Sequence, residues 1–202
     1  MRRLLLLILL APLLGACGGS PTAKALGPRS HQIDVANPQL VAFKKHTGVP
    51  DCPRVGSSAV HGGMPAVTLP CLGGGRPVDV AGLRGPMIVN FWASWCGECR
   101  KEMSALAVYA VHQPRLKVLG IDFQDQQPGA ALQLARDSGV RYPLVADPTG
   151  SLDKASPLPH IPGLPLTVFL DADGSITHVE AGAMLTEDDV ATAARRYLGV
   201  SG

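Results

Sequence analysis

With 202 residues, 46% of them hydrophobic and 17% charged, the chain can bury the core of one ordinary domain and still carry extensions. Its 18 basic and 16 acidic side chains give a formal charge of +2, without the basic footprint that a nucleic-acid partner demands. Beyond the first residues no segment approaches 18 consecutive apolar residues, which argues against a permanent membrane span.

The N-terminus reads as an export signal over residues 1–16. Arg2 and Arg3 precede an apolar run at 4–11, Pro12 interrupts it, and small residues Gly15 and Ala16 precede Cys17. As a helix this apolar core reaches only about 16 Å against roughly 30 Å of hydrocarbon, too short to span. Leu14-Gly15-Ala16-Cys17 resembles the bacterial lipobox, which implies cleavage before Cys17 and acyl chains on it. Each buried CH₂ adds about 0.8 kcal/mol of membrane affinity, so more than one chain anchors stably. The alternative is an ordinary cleaved signal with an incidental cysteine. Taking Arg2 and Arg3 from the 18 basic side chains leaves 16 against 16 acidic, a formally neutral mature chain. The expected location is the outer, oxidising face of a cell membrane.

Residues 17–55 hold scattered Pro, Gly and polar residues and read as a tether and N-terminal extension, with a short helix at 38–46 ended by Gly48 and Pro50. The domain proper is expected over 56–202. "PAVTLP" (65–70) predicts a short strand, followed by the loop "CLGGGRPVD". "MIVNFWA" (87–93) is a continuous apolar run suited to a strand buried on both faces. Met103, Leu106, Ala107 and Ala110 share one face of a helix over 97–112. A second buried strand follows at 116–123, a helix at 129–139 with Gly139 at its end, and a strand at 143–147. A hairpin over 165–182 turns at Asp173-Gly174. The last helix starts at Thr186, which forms a capping-box pattern with Asp189, and runs to Leu198. This alternation predicts a three-layer α/β domain.

The five cysteines are Cys17, Cys52, Cys71, Cys96 and Cys99. With Cys17 lipidated, four remain, an even number suited to two bridges outside the cytosol. Cys96 with Cys99 is the obvious local pair, which leaves Cys52 with Cys71. That second bridge would pin the N-terminal extension to the domain, worth roughly 3 kcal/mol for a loop of this length. A second redox pair relaying electrons is the alternative reading. Zinc is disfavoured, because a Cys₄ site needs two closely spaced pairs.

Cys96-Gly97-Glu98-Cys99 falls between a buried strand and the helix after it. A helix N-terminus carries partial positive charge and unpaired N–H groups, which stabilise a thiolate. Such positions lower a cysteine pKa from about 8.5 to as little as 3.5. Cys99, one turn in, is close enough to resolve a mixed disulfide. An inert structural bridge is the competing reading.

The stretch "VTLPCLGGGRPVDVAGLRGPMIVNFWASWCGECRKEM", together with Gly163-Leu164-Pro165-Leu166-Thr167, resembles the TlpA/ResA-like thioredoxins over about residues 64–200. The resemblance implies a thioredoxin fold, a central mixed β-sheet flanked by helices, and a thiol–disulfide oxidoreductase that needs no bound cofactor. It makes Cys96 the attacking thiol, Cys99 the resolving thiol and Trp95 a flanking shield. Pro165 is then a cis-proline facing the dithiol, with the backbone of Leu164 pairing an extended substrate. Glu102 matches the family's acid three positions after the second cysteine, on the same helix face, where it can deprotonate Cys99; a solvated helix residue is the plainer reading. Asn90 stands where thioredoxins proper bury an aspartate. Glu98 replaces the family's usual proline, and its charge disfavours a neighbouring thiolate, which leans the couple toward reduction. The implied partners are cysteine-containing exported proteins, in the manner of cytochrome c maturation, and a membrane redox partner of the CcdA/DsbD or VKOR type. An oxidase forming disulfides in exported proteins is the rival direction, and a copper or haem chaperone the rival class. His160 is a further candidate for the site lining. Glycines 73–75 lack the Lys-Ser/Thr of a phosphate loop.

Overall fold

Asn37 opens the first helix by accepting the Leu40 N–H on its side chain at 3.0 Å, and Pro38 occupies the first turn, where a missing N–H costs nothing. In this computed structural model the described residues are 33–200. The export signal and Cys17 lie outside them. Helix α1 (Pro38–Lys44) is followed by strands β1 (Thr68–Leu69) and β2 (Val78–Asp79), a short antiparallel hairpin. Then come β3 (Met87–Trp92), α2 (Gly97–His112), β4 (Lys117–Phe123), α3 (Pro128–Asp137), β5 (Leu144–Asp147), β6 (Leu166–Leu170), β7 (Ile176–Ala181) and α4 (Glu187–Leu198).

The five-stranded sheet has the order β5-β4-β3-β6-β7. β3 runs parallel to β4, with Trp92 opposite Asp122, and antiparallel to β6, with Phe91 opposite Leu166. All six residues of β3 are buried, as an apolar run in a central strand requires. Side-chain alternation divides the core. Ile88 and Trp92 face a cluster built with α2, α3 and α4, while Met87, Val89 and Phe91 face one built with Leu69, Val78 and Leu83. The sheet is thus the middle layer, with long helices on one side and the β1–β2 hairpin and 3₁₀ turns on the other. Helix α4 begins at the expected capping box: Thr186 and Asp189 exchange bonds of 2.9 and 3.1 Å. Among the described residues no helix is long and apolar enough to cross a membrane.

The stretch expected as a tether to residue 55 is packed from Ile33 onward, where the compact unit begins. Val35, Leu40 and Val49 are buried in the helix-side core, and Cys52 is bonded to Cys71. A few apolar side chains and one covalent link suffice to seat a segment whose composition is otherwise loop-like.

Candidate active site

Three chain segments meet at one end of the sheet. β3 ends at Trp92, the parallel β4 ends beside it at Phe123, and the antiparallel β6 starts at Leu166 opposite Phe91. The turn after β3, the loop after β4 and the turn before β6 therefore share that end, and the predicted site residues lie on them or just below.

Cys96 is the N-cap of α2, with extended backbone, and its Sγ accepts the Cys99 N–H at 3.1 Å. Cys96 and Cys99 are disulfide-bonded. Cys96 is 7% exposed and Cys99 fully buried, so an incoming group reaches Cys96 first. The cap bond places the first sulfur on the unpaired N–H groups of the helix start, the setting that favours a thiolate when the bond opens. Glu98 turns its carboxylate outward to Lys101 at 3.0 Å, an exposed pair within the first turns of the helix.

The flanking turn is held by β4's loop. Asp125 accepts the Ser94 N–H at 2.6 Å and the Gln127 N–H at 2.8 Å on its two carboxylate oxygens. The Trp95 indole N–H reaches the Gln124 carbonyl at 3.4 Å, while 58% of the residue stays exposed beside the dithiol. Gln124 has φ 51°, a left-handed conformation that turns its carbonyl toward the tryptophan. On the other side the Leu164–Pro165 bond is cis, and the Pro165 carbonyl accepts the Gly182 N–H at 3.1 Å. Leu164 packs against both halves of the core.

Glu102 is completely buried, so it is no solvated helix residue. One carboxyl oxygen accepts the Asn90 amide at 2.6 Å, and the other the Met184 N–H at 3.1 Å. Burial pushes its pKa up to about 7, against the opposing pull of those two hydrogen bonds. Asn90 also donates to Thr167 at 3.2 Å, tying α2, β3 and β6 together. His160 is turned to Asp153 at 2.8 Å with its side chain three-quarters exposed.

Sequence reasoning missed the buried acid of β4. Asp122 is buried, and its carboxyl oxygens have no well-formed hydrogen bond among the described residues. Burial first, then the nearby Asp125 carboxylate, holds it well above the usual carboxylate range. Tyr142, also buried, is raised by burial and by Glu102. The signal was present in "GIDFQDQ", where an acid interrupts a buried apolar strand.

A profile of the AhpC/TSA family matches residues 60–179. The chain is 38% identical over 107 residues to the thiol:disulfide interchange protein DsbE homolog of Paracoccus denitrificans, covering 52% of this chain and 55% of that protein. It is 28% identical over 115 residues to the thiol-disulfide oxidoreductase ResA of Bacillus subtilis, covering 54% and 61%. In both cases the match spans less than two thirds of the relative's length. A secreted thiol-disulfide isomerase from Corynebacterium glutamicum shares the fold, with a TM-score of 0.58 at 24% identity, over 68% of this chain and 86% of that one.

Proposed function

The chain belongs to the AhpC/TSA family and has a thioredoxin-like fold, and from that premise we propose that it is an extracytoplasmic thiol–disulfide oxidoreductase working in the reducing direction. The observation that carries the reading is the Cys96–Cys99 pair at the N-cap of α2, with the outer sulfur held by the Cys99 N–H.

In the reduced enzyme the Cys96 thiolate attacks one sulfur of a substrate disulfide, and the other substrate sulfur leaves and takes up a proton. Cys99 gives its proton to Glu102 and attacks Cys96 Sγ in the mixed disulfide, releasing the second substrate thiol. The substrate gains two electrons and two protons, and the enzyme is left in the disulfide state seen here. A carboxyl whose pKa lies at about 7 is matched to accepting that proton near neutral pH. The cis turn at Pro165 and the exposed Trp95 flank the path by which an extended peptide approaches.

Its substrates are disulfides of exported proteins, of the kind made when haem-binding cysteines oxidise. A membrane redox partner of the CcdA/DsbD type re-reduces it, whereas one of the VKOR type would serve the oxidase direction. Cys17, outside the described residues, carries the lipid anchor after removal of residues 1–16. The test is turnover of a peptide disulfide by the full chain with a thiol donor. Wild type reduces it, Cys96→Ser does not, and Cys99→Ser accumulates a mixed disulfide at Cys96. Equal turnover in Cys96→Ser refutes the assignment.

A further inference from the structure

The second disulfide has an unusual neighbour. Lys44, only 6% exposed, places its Nζ 3.3 Å from Cys71 Sγ and donates to the Gly74 carbonyl at 3.0 Å. Among the described residues its carboxylate partner is Asp51, 3.7 Å away with a side chain 92% exposed. Burial lowers the lysine pKa, with Asp51 pulling the other way. A buried ammonium is costly unless well paired, and here it faces a divalent sulfur.

Glycines 73–75, the run that is no phosphate loop, build this setting. All three have positive φ (72°, 85° and 119°). A Cβ at Gly73 would meet Lys44 at 2.9 Å, and one at Gly75 would come within 3.4 Å of Cys71 Sγ. A cavity of about 180 Å³ opens there, lined by Lys44, Asp51 and the three glycines among others. The two sulfurs have unlike neighbours: Cys71 Sγ faces the Lys44 ammonium, whereas Cys52 Sγ lies 3.2 Å from the Leu144 carbonyl oxygen, and as residues both are buried, Cys52 at 8% exposed and Cys71 at 1%.

We propose that Cys52–Cys71 is a second exchange-active disulfide, opened by attack of an external dithiol on Cys52, with Cys71 leaving as a thiolate paired to Lys44. The attacking thiolate forms a bond to Cys52 Sγ as the Cys52–Cys71 bond breaks, and the bonding pair stays on Cys71. The dithiol's second thiolate then displaces Cys52, which takes a proton from solvent. Two electrons pass from the dithiol to the pair, and the dithiol becomes a disulfide. A leaving thiol of lower pKa departs faster, so Lys44 sets both the rate and the direction of opening. Reduction also releases the covalent hold on the α1 segment.

The test uses the full chain with Cys96→Ser/Cys99→Ser, so its outcome is independent of the first dithiol. Glutathione and then dithiothreitol are applied under native conditions, free thiols are alkylated, and adducts are mapped by peptide mass spectrometry while tryptophan fluorescence reports folding. The expected result is opening without unfolding and a glutathione adduct on Cys52. Lys44→Met is expected to slow opening about tenfold, because the leaving thiolate loses its paired cation, and Lys44→Arg to restore most of the rate. Opening only on global unfolding, an adduct on Cys71, or an unchanged rate in a folded Lys44→Met chain overturns the proposal. Should Lys44→Met fail to fold, the position of the wild-type adduct decides alone.

Discussion

The Asn90 amide donates to the Glu102 carboxyl at 2.6 Å, joining the central strand to the helix that carries the dithiol. That bond, with the Met184 N–H on the other oxygen, holds a buried acid one helical turn beyond Cys99. It is also why the acid titrates near neutrality instead of far higher, since both bonds favour the ionised form against burial.

Glu102→Gln should slow resolution by Cys99 about 10²-fold, the usual range for a lost proton acceptor, and remove the rise in rate through about pH 7. Quenched-flow trapping of the mixed disulfide from pH 5.5 to 8.5 reads this. Stability moves with it. The folded carboxyl is raised from 4.5 to about 7, so between those values the folded state binds more protons than the unfolded one. Stability therefore falls as pH rises through that window, by about 3 kcal/mol in all. Urea unfolding of Glu102→Gln should lack that fall.

Asp122→Asn tests the buried β4 acid. Its folded pKa lies well above 3.8, through burial and then Asp125, so wild-type stability declines as pH climbs above the unfolded value. The variant should gain on wild type as pH rises above about 4, the ordinary carboxylate value. A constant difference above that value would mean the carboxyl is not desolvated.

Much of this architecture was readable in advance. Helix α2 runs over 97–112 as expected because its apolar spacing and its start after a buried strand agree. β1 is only Thr68–Leu69, since prolines at 65 and 70 bracket it, and β2, two residues long, has no period to detect. Residues 33–55 looked like tether because Val35, Leu40 and Val49 are too dispersed to show a pattern. For Glu102 the sequence specifies only the shared face with Cys99; its burial depends on Asn90 and Met184, which come from elements distant in the chain. The cis bond at Pro165 was expected from resemblance alone, as a turn-rich loop does not distinguish its isomers.

Asp125→Ala should loosen the turn before Cys96. It removes the acceptor for both Ser94 and Gln127, at about 2 kcal/mol for bonds to a charged group. Hydrogen exchange at the Ser94 amide should quicken more than at β3 amides. Unchanged protection there would show that the bond holds nothing.

Cys52→Ser/Cys71→Ser should lower stability by about 3 kcal/mol for a bridge with a sequence separation of 19. Turnover of a peptide disulfide should persist, because that chemistry rests on Cys96 and Cys99. Calorimetry and turnover on one preparation separate the two roles. Lost turnover in a folded variant would couple the pairs.

The most direct test of the account is the reduction potential of the Cys96–Cys99 couple in the full chain carrying Cys52→Ser/Cys71→Ser, equilibrated in dithiothreitol buffers and read by thiol trapping. A single two-electron transition near about −270 mV, the region of reducing thioredoxins, is the predicted result. A value near about −120 mV would mark an oxidant and contradict the reducing assignment.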